Sequence, residues 1–502
     1  MTLIPFSDTT QKFLAREHRL FIGGRWVTGQ SDRIIAVENP AREEIVAQVG
    51  AASPADLDAA VMAARAALDG PWSRMPPAER ARLLFRLADL MQAHGRELAE
   101  LSTIENGMPI WMSQSKMEGF CPDLIRYYAG WTTKFTGETL PAVSIRGEAE
   151  DWTVFTLKEP VGVVGAIIPW NAPGSMITLK TAPALAAGCT LVLKPAELTP
   201  LLATRFAELV EEAGFPAGVF NLVQGYGEDI GHAMAAHPGI DKIAFTGSTE
   251  VGKAIVRAAS NDLKKVSLEL GGKSPFIVCA DADLDKAVPG AAAACFFLSG
   301  QNCMAGSRLF LEDSIADEFL AALAEVSRGY VVGDGMREGT LIGPVISARQ
   351  RDRIRGFVSQ AADEGATKLF EGQCPAGKGH FVAPTIFSDV THDMRIARQE
   401  VFGPVLAVQR FSQDDEAELL SRVNGTEYGL SGSVWTGDIS RALRLAKKVD
   451  SGQVGINAHA AISPETPFGG NKQSGWGREF GRDGLEAYFK TKAISINLGP
   501  HS

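Results

Sequence analysis

Cys303 is the residue whose surroundings most favour nucleophilic chemistry. In the segment FFLSGQNCMAGSR, an apolar stretch gives way to Gly300 before the cysteine and to the small residues Ala305 and Gly306 after it. Small neighbours leave room for a substrate to reach a thiol, although most free cysteines are buried and inert. The remaining cysteines show neither a C-x-x-C pair nor the spacing of a zinc site, so the sequence predicts free thiols, a reducing compartment and no metal site. They are Cys121, Cys189, Cys279, Cys295 and Cys374.

Glu269 is the first candidate for a general base. It lies in VSLELGGKSP, between Leu268 and Leu270 and directly before Gly271 and Gly272. A carboxyl group among apolar neighbours is partly desolvated, which raises its pKa toward the range that a general base needs. The alternative is a glutamate at a strand end that is hydrogen-bonded to backbone amides, and the local pattern favours neither.

Four further segments bear on ligand binding. AIIPWNAPG holds Asn171 on a turn between two prolines, where its amide could donate to an oxyanion, although turns also use asparagine for backbone reasons. FTGSTEVGK, at 245–253, predicts a strand, a Gly-Ser turn and a helix whose first amides would face a phosphate. LVLKPAELTP places Lys194 and Glu197 at a strand end, where open α/β sheets bind ligands. GYGEDIG, at 225–231, has one residue too many for the dinucleotide fingerprint, and we interpret it as a surface turn.

The elements that must position these residues alternate between strand and helix. The clearest helix is predicted to start at Thr199 and Pro200, a cap residue followed by a proline at the first helical position, and to stop at Gly214. Apolar runs without polar alternation predict strands covered on both faces at 161–168, 190–194, 219–224, 242–247 and 274–279. The alternation predicts an α/β architecture with parallel sheets and crossover helices.

Two segments depart from that pattern. TVFTLKEP at 153–160 and KTKAISINL at 490–498 both predict strands, and in the second Ile494, Ile496 and Leu498 form one apolar face. Either another subunit or the chain's own domain could cover that face.

Composition predicts a soluble, cytoplasmic protein. The chain has 502 residues, enough for more than one packed core, and its net charge of −10 argues against a nucleic-acid partner. The amino terminus has no sustained apolar core and no Arg-rich character, so neither a secretory signal nor a transit peptide is predicted. The longest apolar stretches, 161–170 and 290–298, are shorter than the ~18 residues of a membrane span, so no membrane partner is expected.

Taken together, the segments resemble one family. The order PWN, KPAE, FTGSTEVG, LELGGKSP, GQNC, QEVFGPV and PFGGNKQSG is similar to that of the NAD(P)-dependent aldehyde dehydrogenase superfamily, and the likeness runs from about residue 21 to about residue 492. The resemblance implies an α/β, aldehyde dehydrogenase-like fold: a doubly wound cofactor domain, an α/β catalytic domain and a small β oligomerisation element. The implied boundaries are 1–140 and 159–268 for the NAD-binding domain, 269–476 for the catalytic domain, and 141–158 and 486–502 for the oligomerisation element. Family members are dimers or tetramers, so a homodimer or homotetramer is expected.

The resemblance also assigns catalytic roles. Cys303 would attack a small-molecule aldehyde to give a thiohemiacetal, and the Asn171 amide with the Cys303 backbone amide would hold the oxyanion. After hydride transfer, Glu269 would activate the water that hydrolyses the thioester. Lys180 resembles the family's lysine beside the oxyanion, and Glu479, in GREFG, resembles the second carboxylate of a proton path.

An NAD site follows from the same resemblance. NAD is expected over NADP, because the Glu197 carboxylate would bond the free 2′-hydroxyl and repel a 2′-phosphate, although Lys194 would soften that repulsion. The implied cofactor-binding residues are Ile167, Trp170, Lys194, Glu197, Gly247, Ser248, Gly271, Glu400 and Phe402.

The substrate is expected to be a bulky apolar aldehyde, either aromatic or long-chained. Relatives that take small aldehydes have aromatic residues at the positions of Ala172, Leu179 and Ile462, so this pocket should be wider. The expected pocket consists of Ala172, Met176, Leu179, Asn302, Met304 and Ile462. No Arg or Lys falls at these positions, which disfavours an aldehyde with a second carboxylate. The pocket could instead be refilled by His459, Ala460 and Ala461, or by Trp111 or Phe120.

The sequence also bears on three alternatives to a hydrolytic dehydrogenase. A CoA-acylating relative would pass the thioester to a thiol, but that branch typically lacks the glutamate present here at 269. A non-catalytic protein on the same fold would have lost Cys303 or Glu269, and neither is lost. An acyl-phosphate reductase would not need the glutamate of LELGG.

Overall fold

The architecture is a mixed α/β one, described by a computed structural model for residues 2–141 and 150–500. Its strands are β1 (Leu20–Ile22), β2 (Arg25–Val27), β3 (Ile34–Asn39), β4 (Glu44–Gly50), β5 (Thr139–Leu140), β6 (Glu150–Pro160), β7 (Val163–Ile167), β8 (Thr190–Lys194), β9 (Phe220–Leu222), β10 (Lys242–Thr246), β11 (Lys265–Glu269), β12 (Pro275–Val278), β13 (Arg308–Glu312), β14 (Thr367–Glu371), β15 (Thr385–Ser388), β16 (Val405–Phe411), β17 (Tyr428–Gly429), β18 (Ser431–Trp435), β19 (Gln453–Ile456), β20 (Asn471–Lys472), β21 (Gly475–Trp476) and β22 (Phe489–Pro500).

Helices alternate with these strands, as the sequence predicts. They are α1 (Asp8–Leu14), α2 (Pro54–Asp69), α3 (Pro71–Arg74), α4 (Pro77–Ala93), α5 (Gly95–Asn106), α6 (Ile110–Ser115), α7 (Cys121–Trp131), α8 (Pro173–Ala187), α9 (Leu201–Ala213), α10 (His232–Ala236), α11 (Thr249–Ala259), α12 (Leu284–Phe296), α13 (Ala316–Arg328), α14 (Ala348–Asp363), α15 (Arg395–Arg398), α16 (Glu416–Asn424), α17 (Ile439–Ala446) and α18 (Gly481–Glu486). No helix of the described ranges is long and apolar enough to cross a membrane.

The first sheet has the strand order β2-β1-β9-β8-β7-β10-β11-β21. Strands β9, β8, β7, β10 and β11 run parallel, and β7 and β8 are buried at every residue, which confirms the prediction of strands covered on both faces. From β7 the chain proceeds to β8 on one side and later to β10 on the other, so the order reverses between β7 and β10. In open α/β sheets a ligand crevice forms at the carboxyl ends of the strands at such a reversal.

The second sheet has the order β14-β15-β16-β13-β12-β18-β19 and is parallel except for β14. Its strand β12 starts at Pro275, shortly after β11, the last parallel strand of the first sheet, ends at Glu269. Residues 270–274 therefore form a short link between the two sheets.

The two segments that depart from the α/β pattern pair with each other. Strand β22 lies antiparallel to β6, with Ile494 opposite Phe155, and β5 lies on the other side of β6. This confirms both predicted strands. The predicted oligomerisation element falls partly on residues 142–149 and 501–502, outside the described residues, and the division into domains stays a prediction.

Two local predictions need correction. Helix α9 begins at Leu201, one residue later than predicted, because Pro200 occupies the cap position. The Glu105 carboxylate of α5 caps it instead, accepting from Leu201 N at 2.7 Å and Leu202 N at 3.2 Å. The segment GYGEDIG is not a simple surface turn, because residues 227–231 form a π-helical turn that leads into α10.

Candidate active site

Cys303 follows a turn of unusual backbone conformation. Leu298, Ser299 and Gly300 have φ values of 53°, 57° and 68°, three consecutive left-handed residues. Such a conformation is unfavourable for non-glycine residues, so it persists only where the surroundings hold it. The Ser299 hydroxyl donates to the Gly343 carbonyl at 2.9 Å and ties the turn to a neighbouring loop. The turn leaves the Cys303 side chain partly exposed.

The amide of Asn171 lies beside this turn. Its Nδ2 donates to the Gln301 carbonyl at 2.9 Å, two residues before Cys303. The backbone of the Asn171 loop is held in turn by Asn106, whose Nδ2 donates to the Trp170 carbonyl at 2.7 Å and the Asn171 carbonyl at 3.2 Å. The sequence analysis missed Asn106 and Gln301. The only local signal for Asn106 is its place before the glycine that ends α5.

Glu269, the last residue of β11, is a desolvated carboxyl group. The residue is 4% exposed, and its Oε2 has no hydrogen-bond partner within the described residues. Burial raises its pKa well above the ordinary value, and the Glu479 carboxylate raises that pKa further, while Lys180 and Arg478 act in the opposite direction. Among the described residues no backbone amide donates to the Glu269 carboxyl group, so they give no support to the alternative of a glutamate hydrogen-bonded to backbone amides.

Lys180 and Glu479 form a buried ion pair next to Glu269. The Lys180 ammonium, in the middle of α8, donates to Glu479 Oε1, and neither side chain is more than 8% exposed. Glu479 is fixed by its backbone, which exchanges two hydrogen bonds of 2.7 Å with Phe468. Two carboxyl groups and one ammonium thus share one poorly hydrated region, an arrangement that favours proton exchange between the carboxyls.

The two glycines after Glu269 allow close approach of three chain segments. A Cβ at Gly271 would lie 2.6 Å from Glu400 Oε2, and one at Gly272 would lie 2.2 Å from the Cys303 carbonyl oxygen. The Gly272 amide donates to Glu400 Oε1 at 2.9 Å, and burial raises the pKa of Glu400 to about 7. Burial and the charges of Glu400 and Glu269 also raise the pKa of the Cys303 thiol above its ordinary value.

The carboxyl ends of the parallel strands carry several predicted cofactor residues. Ile167 ends β7 and Lys194 ends β8. The Lys194 ammonium donates to the Pro195 carbonyl at 3.0 Å and lies 3.7 Å from the Glu197 carboxylate, which is exposed by 38%. Glu197 therefore has an oxygen free to accept a bond from a ligand at the mouth of the crevice.

The other side of the crevice offers amides and aromatic rings. The Gly247 amide donates to the Glu269 carbonyl at 3.0 Å, and the Ser248 hydroxyl caps α11 by accepting from Val251 N at 3.3 Å. Trp170 and Phe402 meet edge to face with ring centroids 5.3 Å apart. A helix amino terminus, a carboxylate at a strand end and a glycine pair suit a dinucleotide, so the residues present fit NAD(P).

The predicted pocket residues lie around the same apolar region. Ala172 caps the amino terminus of α8, which also carries Met176 and Leu179. Met176, Met304 and Ile462 are partly buried and pack, with Cys303, against one hydrophobic cluster. Asn302 contacts one of these residues, because its Oδ1 accepts a hydrogen bond from Met304 N at 3.2 Å.

Of the residues that could refill the pocket, Phe120 packs against the same hydrophobic cluster as Met304 and Ile462 and stays a candidate. Two others have polar partners. His459 hydrogen-bonds the Met304 carbonyl at 2.8 Å through Nε2 and Ser433 Oγ at 3.0 Å through Nδ1. Trp111 is 50% exposed and donates to the Thr340 carbonyl at 3.0 Å.

Comparison with known proteins identifies the family. The sequence profile of the aldehyde dehydrogenase family matches residues 26–494. The chain belongs to this family. Phenylacetaldehyde dehydrogenase of Pseudomonas fluorescens is 46% identical over 487 residues, which cover 95% of this chain and 96% of that protein. Retinal dehydrogenase 2 of Homo sapiens is 45% identical over 489 residues, covering 96% and 92%. An aldehyde dehydrogenase structure from Bacillus cereus, solved as an NAD+ complex, matches with a TM-score of 0.96 and 43% identity over 99% of this chain and 100% of that one.

As an aldehyde dehydrogenase, the protein is an oxidoreductase that converts aldehydes to carboxylic acids with NAD(P). The fold and the order of the segments agree with the resemblance that the sequence carries.

Proposed function

We propose that this aldehyde dehydrogenase oxidises a bulky apolar or aromatic aldehyde, with NAD as the preferred cofactor. The substrate proposal is supported by the predicted pocket wall at Ala172, Leu179 and Ile462, three positions without an aromatic ring. The Trp111 indole N–H donates to the Thr340 carbonyl, which supports an open pocket. An aliphatic wall leaves room for a large substrate and gives it apolar surface to contact.

In the proposed reaction, Cys303 is the nucleophile. The thiol, whose raised pKa keeps it protonated, first passes its proton to a neighbouring carboxylate, Glu269, and the resulting thiolate attacks the aldehyde carbon. A new C–S bond then forms a thiohemiacetal, whose oxyanion accepts hydrogen bonds from the Asn171 amide and the Cys303 backbone N–H. Bound NAD would accept the hydride that leaves the former aldehyde carbon, and a Cys303 thioester remains.

Hydrolysis of the thioester falls to Glu269. Burial raises the pKa of its carboxyl group, and a raised pKa makes a carboxylate a stronger proton acceptor, as a general base must be. It takes a proton from the attacking water, and the collapsing intermediate breaks the C–S bond to release the carboxylic acid and the Cys303 thiolate. Glu479 and Lys180 lie beside it and would carry the proton away.

The preference for NAD rests on the charge of Glu197. Its partly exposed carboxylate would accept a bond from a ribose 2′-hydroxyl and repel a 2′-phosphate. Lys194 lies 3.7 Å away, so the repulsion is reduced but not removed.

A panel of aldehydes tests the substrate proposal. We expect kcat/KM for benzaldehyde and octanal to exceed that for acetaldehyde, followed by absorbance of the reduced cofactor. Each methylene that is buried adds about 0.8 kcal/mol, so two of them favour the longer substrate roughly tenfold. Two relatives, phenylacetaldehyde dehydrogenase and retinal dehydrogenase 2, are named after bulky aldehydes, which supports the same expectation.

An Ala172→Phe variant refines this test. It should lose octanal and benzaldehyde first and keep acetaldehyde, which serves as the internal control. A higher kcat/KM for acetaldehyde in the parent enzyme would refute the substrate proposal. Equal loss of all three aldehydes in the variant would remove Ala172 from the pocket.

We also propose that β5, β6 and β22 take part in a homodimer or homotetramer. Exposed apolar side chains on these strands support an interface: Leu140, Leu157, Ile496 and Leu498. Light scattering of the purified enzyme measures the oligomeric state, and a monomer would overturn the proposal.

A further inference from the structure

Lys116 lies between two aromatic rings near the pocket. It begins the π-helical turn Lys116–Phe120, inserted between α6 and α7, a type of turn that is frequent at functional sites. Its ammonium is 5.7 Å from the ring centre of Phe120 and 5.7 Å from that of Phe297. Phe297 opens the turn that leads to Cys303 six residues later.

The contacts found for the Lys116 ammonium are to aromatic rings. Across residues 2–141 and 150–500 no ion pair or hydrogen bond of this ammonium is found, and the two rings are its ring contacts. Lys116 is partly buried, and burial lowers the pKa of its ammonium. The buried Lys180 differs, because Glu479 neutralises it. A partly buried cation between two aromatic rings is a favourable site for an anionic group of a ligand, which would supply the missing counter-charge.

The turn that carries Lys116 packs against the pocket wall. Its second residue, Met117, contacts Gly174 of α8 so closely that a Cβ there would lie 2.2 Å from the Met117 methyl group. Phe120, at the end of the turn, lies 6.0 Å from the ring of Phe480. Phe297 is 38% exposed. Lys116 therefore stands between the apolar region around α8 and the protein surface.

We propose that Lys116 is a specificity-determining residue that binds a carboxylate at the far end of the aldehyde substrate. The proposal rests on the part of the proposed function that places the reaction at Cys303, since it extends the same pocket outward. The aldehyde carbon would reach Cys303, the body of the molecule would contact the aliphatic wall, and the carboxylate would pair with the ammonium between the rings. The sequence disfavoured an aldehyde with a second carboxylate, because no Arg or Lys falls at the six expected pocket positions and Lys116 is not one of them.

Matched pairs of substrates test the inference in the holoenzyme. The pairs are 4-formylbenzoate and 6-oxohexanoate, each beside its methyl ester, which has similar shape but no charge. In the parent enzyme we expect kcat/KM to be higher for the acid than for the ester in at least one pair. Lys116→Met should reduce that ratio about 10-fold to 100-fold, chiefly through KM, while Lys116→Arg should keep most of it. Lys134→Met, at an exposed lysine beyond α7, is the control and should leave the ratio unchanged.

The outcomes separate this inference from the proposed function. If neither acid is preferred over its ester, or if Lys116→Met leaves the ratio intact, the inference is overturned even where benzaldehyde is a better substrate than acetaldehyde. A loss of thermal stability without a change in the ratio would assign Lys116 to packing between the rings and also overturns it. If acetaldehyde is the best neutral substrate but the ratio still depends on Lys116, the bulky-substrate proposal fails and this inference stands.

Discussion

Replacing Glu269 with glutamine removes one proton acceptor and little else. The amide has nearly the same size as the carboxyl group, and the site is almost fully buried, so the packing against β21 and the glycine link should persist. The Oε2 atom has no hydrogen-bond partner in the described chain, so the substitution breaks no bond at that oxygen. The expected defect is therefore chemical rather than structural.

The magnitude follows from the role of a general base. Its loss typically slows a step by ~10²–10⁴, which corresponds to about 3–5 kcal/mol in the activation free energy. Thioester hydrolysis should bear this loss, while hydride transfer, which precedes it, should be much less affected. Rapid mixing with saturating aldehyde and NAD should then show a burst of reduced cofactor equal to the enzyme concentration, followed by slow turnover.

The pH dependence supplies a second measurement. In the parent enzyme the rate of thioester hydrolysis should rise with pH as the Glu269 carboxyl, whose pKa is raised, loses its proton. In Glu269→Gln this rise of the hydrolysis rate with pH should be absent. The raised pKa of Glu269 also makes the free energy of unfolding depend on pH. A raised pKa in the folded state means that stability falls as pH rises above the ordinary glutamate pKa, so the variant should have the higher Tm in alkaline buffer.

Glu105→Gln is a suitable control. Glu105 is also fully buried, and burial raises its pKa to about 8, but it caps α9. It should lose stability without showing a burst. Normal steady-state turnover by Glu269→Gln, without a burst, would refute the reasoning and transfer the role of base to another group such as Glu479.

Two further predictions concern the nucleophile and the cofactor. Cys303→Ala should abolish aldehyde oxidation while NAD still quenches tryptophan fluorescence, whereas Cys295→Ala, at a buried residue of α12, should remain active; turnover by the first variant would exclude Cys303 as the nucleophile. The parent enzyme should show a kcat/KM about tenfold higher with NAD than with NADP, and Glu197→Gln should narrow that ratio by removing the like-charge contact. Equal efficiency with both cofactors in the parent enzyme would contradict the role of Glu197.

Local rules were sufficient for much of the fold. The predicted strand 190–194 matches β8 residue for residue, and helix α9 ends at Gly214 in the left-handed conformation that glycine favours. Both features depend on neighbours in the sequence. The desolvation of Glu269 was likewise expected from the leucines beside it.

Features that depend on distant residues escaped the sequence analysis. The cap of α9 comes from Glu105, 96 residues before the helix, so no local pattern could reveal it. Asn106 holds the loop of Asn171 across 64 and 65 residues of chain. Lys116 comes close to Phe297 only because the two turns fold together. The roles of the candidate site residues stay predictions until the variants above are measured.

The short link between the two sheets has a mechanical consequence. If the sheets rotate relative to each other, residues 270–274 lie near the axis, and points near an axis move least. Glu269 directly precedes this link, and Gly272 within the link lies close to the Cys303 carbonyl. The base and the thiol would therefore be displaced less by such a rotation than residues farther from the link. Lys194 on β8 lies three strands from β11, roughly 14 Å at the usual spacing. Such a rotation would open the crevice most at that outer end, so a dinucleotide could exchange there while the two reacting groups keep their separation.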